Sequence, residues 1–443
     1  MNRSLILIFT LLFLAISCQT SYQPIPTLVN KIERGVGVFG PIILEFPTLI
    51  QNSELEKGLS INPPVSVLFQ WQGTQLNIIP ENFFSYDQNY QLSIKKSVVS
   101  ANEKTISSEY FWTIKTHPAC IIYISSATQS PEIWKTCLDD YLKIQLSRSQ
   151  GKILEFNLSE DGNWIIYSIQ NDLGGTDLWM MDRDGKANHV FYQCREDLCR
   201  EPKFAPDGLN VMFIRNKKNN ENLSENINDE FLIVNVASGQ VSELQPDQKI
   251  KSTFLQWSTD QKYISFFESF SSSFWIWNLK TNQIMKIPSS EGLGGSWKRG
   301  VSSFIFADIN YWGGIPYGQI NQWDEKTNSI QHLFGNENDQ NEYFSPKWRP
   351  QGDWLAAAVR PVQGSASKQI ALFSLDGKQQ VLVTNEQLFT FSSFSWSFDG
   401  EMIVYQKLNM GTSGLVPEIG LWRMSDQSTM IIAQDASSPK WIP

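Results

Sequence analysis

The segment Trp396-Ser397-Phe398-Asp399-Gly400 is the clearest copy of a motif that recurs from residue 156 onward. The motif is an aromatic residue followed by Ser or Pro, an acidic residue and often Gly, and an apolar run such as Met402-Ile-Val-Tyr405 comes directly after it. Other copies begin with the aromatic residues Phe156, Phe204, Trp257, Trp297, Trp348 and, at the end of the chain, Trp441. Successive copies lie 40 to 53 residues apart, so the chain repeats one structural unit.

Each copy opens a unit of four short strand-like segments. After Phe204 these are the motif itself, Val211–Ile214, Phe231–Val234 and a last strand beyond the tight turn at Ser238-Gly239. Four strands in 40 to 50 residues form one blade of a β-propeller. The motif resembles the TolB-type, WD40-like repeat over residues 119–443, and that resemblance implies a β-propeller. A string of separate sandwiches is the alternative, but no unit is long enough to bury a core alone.

The two ends of the repeat region complement each other. The last motif, at Trp441, is a first strand with no blade after it, whereas residues 121–124, 132–136 and 141–146 are three strands with no first strand before them. Joined, they complete one blade, and this closure removes exposed sheet edges. We therefore predict seven blades closed by the C-terminal strand, with six and eight blades left open as alternatives.

Residues 30–117 show a different pattern, in which short runs alternate apolar and polar residues. The runs include Pro41–Phe46, Phe69-Gln-Trp71, Tyr90-Gln-Leu92 and Tyr110–Thr116. Alternation with turn residues between runs predicts a small antiparallel sandwich. The order of these motifs resembles the bacterial Ig-like domain first described in S-layer proteins. That resemblance implies a spacer or adhesive module without chemistry, so the predicted fold class is all-β throughout.

The N-terminus has the features of an export signal. Arg3 precedes an apolar stretch, Leu5–Ile16, of 12 residues, whereas a membrane-spanning helix needs roughly 20. The stretch ends in Leu14-Ala15-Ile16-Ser17-Cys18, which resembles the lipobox of bacterial lipoproteins. The resemblance implies removal of residues 1–17 and lipidation of Cys18. The Gln, Ser, Thr and Pro residues that follow predict a flexible tether over residues 18–29. A plain secretory signal is the alternative.

This signal predicts an extracytoplasmic protein, anchored by lipid to a bacterial membrane. In a Gram-negative cell the membrane is the outer one, because Gln19 is not the Asp that retains lipoproteins at the inner membrane. Otherwise the anchor lies in the outer face of the cell membrane.

Four cysteines remain after Cys18, in a compartment that permits disulfides. Three connectivities are open, and local spacing favours Cys120–Cys137, across a hairpin, and Cys194–Cys199. Buried free thiols are the alternative. A metal site is disfavoured, because Cys194 and Cys199 lack the two-residue spacing of zinc knuckles.

Composition excludes several functions. The 36 Lys+Arg and 45 Asp+Glu give a net charge of −9, which argues against nucleic-acid binding. Only three histidines are present, and no Gly-x-Ser-x-Gly nucleophile motif occurs. We therefore predict no cofactor, no metal site and no catalytic residue.

The expected function is non-catalytic binding of an envelope protein or glycan. An extracytoplasmic enzyme acting on glycans or peptides from the propeller face is the alternative.

One segment predicts a binding surface. Asp308–Tyr317 contains two glycines and a proline together with Tyr311, Trp312 and Tyr317, which are residue types that dominate binding hot spots. In a propeller this segment joins the second and third strands of a blade. The connections of that kind are long here, whereas those at the other face are tight turns, so the long-loop face is the expected binding surface. The alternative is that the aromatic residues cap their own blade.

Overall fold

The computed structural model describes residues 26–29, 35–47, 49, 52–95, 108–128, 130–218, 229–244, 249–290, 292, 294–339, 341–361, 366–411 and 416–443. The expected signal peptide, Cys18 and most of the expected tether lie outside these residues. Within the described ranges, no helix is both long and apolar enough to cross a membrane.

The N-terminal part of the described chain is a sandwich of two antiparallel sheets. Its elements are β1 (Thr27–Leu28), β2 (Ile42–Glu45), α1 (Asn52–Gly58), β3 (Leu59–Asn62), β4 (Val67–Gln72), β5 (Gln75–Pro80), β6 (Asn89–Ile94) and β7 (Tyr110–Lys115). One sheet has the order β1-β2-β5-β4 and the other β3-β6-β7. Alternate residues such as Ile42, Leu44, Leu92 and Ile94 fill the space between the sheets, as their period of two requires. The sequence pattern did not predict α1, whose Leu55 is buried in the same core.

Beyond Pro118 the described strands form seven four-stranded units. Units 1 and 2 contain β8 (Cys120–Ser125), β9 (Glu132–Cys137) and β10 (Lys143–Gln145), then β11 (Ile153–Leu158), β12 (Trp164–Gln170), β13 (Thr176–Asp182) and β14 (His189–Tyr192). Unit 3 contains β15 (Leu198–Phe204), β16 (Asn210–Asn216), β17 (Asp229–Asn235) and β18 (Val241–Leu244). Unit 4 contains β19 (Ser252–Trp257), β20 (Tyr263–Glu268), β21 (Ser273–Asn278) and β22 (Ile284–Pro288).

The remaining units follow in the same order. Unit 5 contains β23 (Gly295–Trp297), β24 (Ser303–Trp312), β25 (Ile315–Asp324) and β26 (Ser329–Phe334), and unit 6 contains β27 (Asn341–Trp348), β28 (Trp354–Pro361), β29 (Gln369–Ser374) and β30 (Gln380–Leu382). Unit 7 contains β31 (Phe389–Trp396), β32 (Met402–Asn409), β33 (Glu418–Arg423) and β34 (Thr429–Gln434). The last strand, β35 (Ala436–Ile442), pairs with β8 and completes unit 1.

The recurring motif forms the turn between the first and second strands of a unit. In unit 2, the Ser159 hydroxyl donates to Asp161 at 2.6 Å and accepts from the Trp164 backbone N–H at 2.9 Å. Ser258 makes the same two contacts with Asp260 and Tyr263 in unit 4. This bridge explains the hydroxyl and acidic residues in the copies that contain both.

The core of this region lies between neighbouring units. Phe231 of unit 3 packs on Phe266 of unit 4 with ring centroids 4.8 Å apart, and both are fully buried. Because each unit completes its core only against its neighbours, the units do not have separate cores. Together with the closing strand β35, this packing makes the region a β-propeller and the whole described chain all-β.

The sandwich contacts the propeller through residues 35–40. Phe39 packs edge-on against Phe398, with ring centroids 4.9 Å apart, and the Arg299 guanidinium lies 3.5 Å from the centre of the Phe39 ring. A Cβ atom at Gly37 would overlap the carbonyl oxygen of Asp161, so only glycine permits this approach. The contacted residues belong to units 2, 5 and 7 and all lie in turns between first and second strands. This segment therefore covers the centre of the tight-turn face.

Candidate functional site

The segment Asp308–Tyr317 is a strand hairpin rather than the loop that the sequence predicted. β24 and β25 stay paired up to Trp312 and Ile315, and only Gly313 and Gly314 form the turn. Both glycines have positive φ, as a two-residue hairpin turn requires. Because the extra residues continue the ladder on both strands, the aromatic residues are carried on a β-ribbon.

The tip of this hairpin exposes large apolar side chains. Tyr311 is 65% exposed, Trp312 66% and Ile315 54%, whereas Tyr317 is half-buried. Directly paired residues share a face, so Trp312 and Ile315 lie together while Tyr311 lies on the opposite side of the ribbon. The alternative that these residues cap their own sheet does not hold for Tyr311 and Trp312, which remain in solvent.

The hairpin tip and the sandwich lie at opposite faces of the propeller. The tip joins second and third strands, whereas Phe39 contacts turns that join first and second strands, and antiparallel order places these two kinds of connection at opposite ends of the strands. His117, which precedes β8, lies at the tight-turn end. Two connections at the long-loop face are shorter than the sequence predicted: β12 and β13 leave only residues 171–175 between them, and β24 and β25 leave only Gly313 and Gly314.

A cavity of about 660 Å³ lies along the propeller axis, lined by the first strands of the units. Its wall includes Phe156, Phe254, Phe344 and Phe391, and it ends near Glu160 and Pro443 at the tight-turn face. There, residues 35–40 cover it. At the other end Phe254 is 49% exposed, which marks the open mouth. The volume falls in the range of small-molecule sites.

β-Bulges line this cavity. The ladders of β15, β19, β27, β31 and β35 with their second strands each contain a register shift. Each shift contains one non-glycine residue with positive φ: Glu201, Phe254, Ser345, Ser393 and Ser438. Positive φ is uncommon for such residues, and bulges re-aim side chains near functional sites. The innermost strands are therefore bent in a repeated way around the channel.

Glu155 lines the channel, and Glu201 lies in the bulge of the neighbouring strand β15. Glu155 accepts a hydrogen bond at 2.6 Å from the backbone N–H of Glu201, and Glu201 in turn accepts one at 2.7 Å from that of Leu255. Burial raises the pKa of Glu201. Each of these two carboxylates is thus bonded to the bulge of the next unit.

Two lysines also line the channel. Lys347 lies in unit 6 and Lys440 in the closing strand, where its Nζ donates to the Phe156 carbonyl at 2.6 Å. Burial and repulsion from Lys203 lower the pKa of Lys347 to about 8. Burial, together with repulsion from Lys203 and Lys347, lowers the pKa of Lys440 to about 7, although Glu155 partly opposes the shift. Among the described residues, none of these three ammonium groups forms an ion pair with a carboxylate.

Both expected disulfides are present. Cys120 and Cys137 are directly paired across β8 and β9 with Cα atoms 3.9 Å apart, and Cys194 and Cys199 have Cα atoms 6.2 Å apart. The first bond lies at the tight-turn end of unit 1. The second joins the connection between units 2 and 3, at Cys194, to the first strand of unit 3, at Cys199.

The junction between the sandwich and the propeller contains buried charge. Desolvation lowers the pKa of His117 to about 3, with a further contribution from the nearby cation Arg183. Arg183 is itself buried, and its burial lowers its pKa to about 10. The other two histidines, His189 and His332, lie in last strands of their units.

Sequence reasoning missed the channel lysines. Lys347 and Lys440 precede Trp348 and Trp441 of the recurring motif by one residue, so their places in the repeat were available as a signal. The repeat in the sequence does not show the β-bulges, which turn Lys347 and Lys440 toward the propeller axis. Clusters of three or more His, Cys, Asp or Glu suited to a metal are not found in the described part of the chain.

Comparison with known proteins gives structural neighbours only. No protein-family model matches the chain, and no curated protein sequence does. The structure of TolB from Acinetobacter baumannii is 15% identical, the match covers 89% of this chain and 86% of TolB, and the TM-score is 0.44. An oligogalacturonate lyase in complex with manganese is 13% identical over 65% of this chain and 75% of the lyase, with a TM-score of 0.41.

A prolyl endopeptidase structure is 11% identical and has a TM-score of 0.51. The match covers 87% of this chain but 51% of the endopeptidase, so this chain spans about half of that protein's length. At these identities the similarity concerns the fold alone. The chain is a β-propeller protein with an N-terminal sandwich, and its neighbours include enzymes as well as TolB.

Proposed function

We propose that this chain is a lipid-anchored protein of the bacterial cell envelope that binds a protein or glycan partner through the long-loop face of its propeller. The seven four-stranded units are taken as seven blades of a TolB-type propeller. The sandwich of residues 30–117 is taken as a bacterial Ig-like spacer. The observation that carries the proposal is the exposed apolar tip formed by Tyr311, Trp312 and Ile315 at the face that the sandwich leaves uncovered.

The orientation supports this assignment. The lipid on Cys18 and the sandwich are both N-terminal, and the sandwich contacts the tight-turn face through Phe39. The spacer therefore stands between the membrane and the propeller, so the hairpin tip points away from the membrane. Exposed aromatic residues on a rigid ribbon lose little conformational entropy on binding.

The test of partner binding compares the two faces. Purified wild-type protein, a Trp312→Ala/Ile315→Ala variant and an Asp376→Asn control would be incubated with detergent-solubilised native envelope, and retained partners quantified. Asp376 lies in an exposed turn between third and fourth strands. We expect the hairpin variant alone to lose the retained partner. If only the Asp376→Asn variant loses the retained partner, the assignment of the binding surface to the long-loop face is wrong.

The anchor is tested separately. If Cys18 is acylated, wild-type protein partitions into detergent and Cys18→Ser stays unprocessed or becomes soluble. Equal partitioning of the two forms would contradict the lipobox reading without affecting the proposal for the propeller face.

The enzyme alternative rests on the channel carboxylates. Glu201 has a raised pKa, as a general acid requires, but it is held by the backbone of Leu255. Hydrolysis or cleavage of glycans or peptides by wild-type protein, lost in Glu201→Gln, would favour this alternative over binding alone.

A further inference from the structure

The channel lysines form a positively charged surface within an acidic protein. The chain has a net charge of −9, and yet Lys347 and Lys440 line the cavity, Lys203 repels both, and none of the three forms an ion pair among the described residues. Glu155 only partly offsets this repulsion at Lys440, and a bound anion would offset it further. The channel wall beside them is apolar, with Phe254 and Phe344 near the mouth.

We propose that the channel binds a small organic carboxylate, whose charged group lies between Lys347 and Lys440 and whose apolar part lies against Phe254 and Phe344. The cavity of about 660 Å³ has room for a molecule of this class. The proposal is independent of the partner assigned to the hairpin tip, because it concerns a ligand inside the ring.

The charged groups at the channel differ in their partners. The Glu155 carboxylate lines the channel and accepts a hydrogen bond from the backbone N–H of Glu201, whose own carboxylate accepts one from that of Leu255. On the opposite side the bulge residues are Ser345, Ser393 and Ser438, and no carboxylate lies at those positions. Lys368 adds a further cation above Phe344, with its Nζ 3.8 Å from the ring centre.

A ligand can enter the channel from one end only. Residues 35–40, with Phe39 against Phe398 and Arg299, cover the tight-turn end, and the Glu160 carboxylate there is paired with Arg299 at 2.5 Å. The acid nearest to that end is thus neutralised. A ligand therefore enters from the long-loop face and meets Phe254 before the lysines.

Protonation controls the expected affinity. The charged groups that line the site are Lys347, Lys368, Lys440 and Glu155, and Lys203 and Glu201 act on them from β15. Because the pKa values of Lys440 and Lys347 are lowered to about 7 and about 8, these two lysines lose charge as pH rises through that range. Carboxylate affinity should therefore be highest near pH 6 and fall toward pH 9.

The test uses the full chain and calorimetric titration with 4-phenylbutyrate, its uncharged amide 4-phenylbutanamide, glucuronate and inorganic phosphate. We expect 4-phenylbutyrate to bind at pH 6 at least tenfold more tightly than the amide, glucuronate to bind more weakly because it lacks the apolar part, and phosphate to bind weakest. The affinity for 4-phenylbutyrate should fall at least tenfold at pH 9. Equal affinity for acid and amide, or no binding of any of the three anions, would overturn the proposal.

The variants are Lys347→Met, Lys440→Met and their combination, with Lys378→Met as the matched control. Lys378 lies in a turn with its side chain 80% exposed, so its substitution removes the same charge from the surface. We expect at least a tenfold loss of 4-phenylbutyrate affinity for the combined variant and none for the control. Unchanged binding in a folded combined variant would overturn the proposal. If the combined variant does not fold, the proposal is tested by the wild-type pH series and by the single variants Lys347→Met and Lys440→Met.

Discussion

The two faces of the propeller differ in what their connections do. At the tight-turn face, Ser-x-Asp bridges such as that of Ser159 hold short turns, and the sandwich covers the axis with Phe39. At the long-loop face, the β24–β25 hairpin extends into solvent and the channel opens. The tight-turn face is therefore covered and held by local bonds, whereas the long-loop face exposes its hairpin tip. Substitutions at the two faces should separate these roles.

The largest effect is expected from removing the closing strand. Deletion of residues 437–443 leaves β8 of unit 1 without its partner and exposes sheet edges at both ends of the ring. We expect aggregation, measured by light scattering and size-exclusion chromatography. A monomeric, soluble truncated protein would show that closure is not needed.

A smaller effect should distinguish buried from exposed aromatic residues at the two faces. Phe39→Ala removes a ring that is 7% exposed at the tight-turn face, and loss of a buried Phe costs about 3 kcal/mol. Phe270 is the matched control, since it lies between β20 and β21 at the long-loop face and is 65% exposed. Denaturant unfolding should show a clear loss of unfolding free energy for Phe39→Ala and none for Phe270→Ala. If both variants lose the same free energy of unfolding, the sandwich does not stabilise the propeller.

Acid should weaken the tight-turn face. The pKa of His117 is lowered to about 3 from 6.5, so the unfolded chain takes up a proton between these pH values and the folded chain does not. Stability is therefore lost as pH falls below 6.5, by roughly 2 kcal/mol between pH 7 and pH 5. Unfolding curves of wild type and His117→Gln over this range measure the effect. If His117→Gln loses as much stability between pH 7 and pH 5 as wild type does, a group other than His117 causes the loss.

The two disulfides give a finer comparison. Cys120–Cys137 closes a separation of 17 residues and Cys194–Cys199 one of 5, so loss of their chain-entropy terms costs about 3 and about 2 kcal/mol. Cys120→Ser should lower the melting temperature more than Cys194→Ser. The reverse order, or four free thiols in a mass spectrum, would contradict the expectation.

The smallest effect on stability belongs to the hairpin tip. Trp312→Ala removes a side chain that is 66% exposed, so its effect on the free energy of unfolding should stay within about 0.5 kcal/mol. Denaturant unfolding checks this value. A loss of more than 2 kcal/mol would show that Trp312 stabilises its own sheet, and its place in partner binding would then need another explanation.

The repeat made the propeller predictable, because related motifs recur at the first-to-second turns, and the Ser and Asp of three copies form the same local bridge. The hairpin tip was found for a similar reason, since Gly313, Gly314 and the aromatic residues are neighbours in sequence. The contact of Phe39 with Phe398 and Arg299 could not be found in this way, because it joins residues more than 250 positions apart. The channel lysines depend on bulges that no alternation pattern contains.

Pairing of β35 with β8 also fixes an order of events during biogenesis. Ile442 pairs with Cys120, so the contact spans most of the chain and is expensive in loop-closure entropy. A chain that folds from its N-terminus can build the sandwich first, but unit 1 stays incomplete until β35 is available. Until then, β8 has an unpaired strand edge that could pair with another chain.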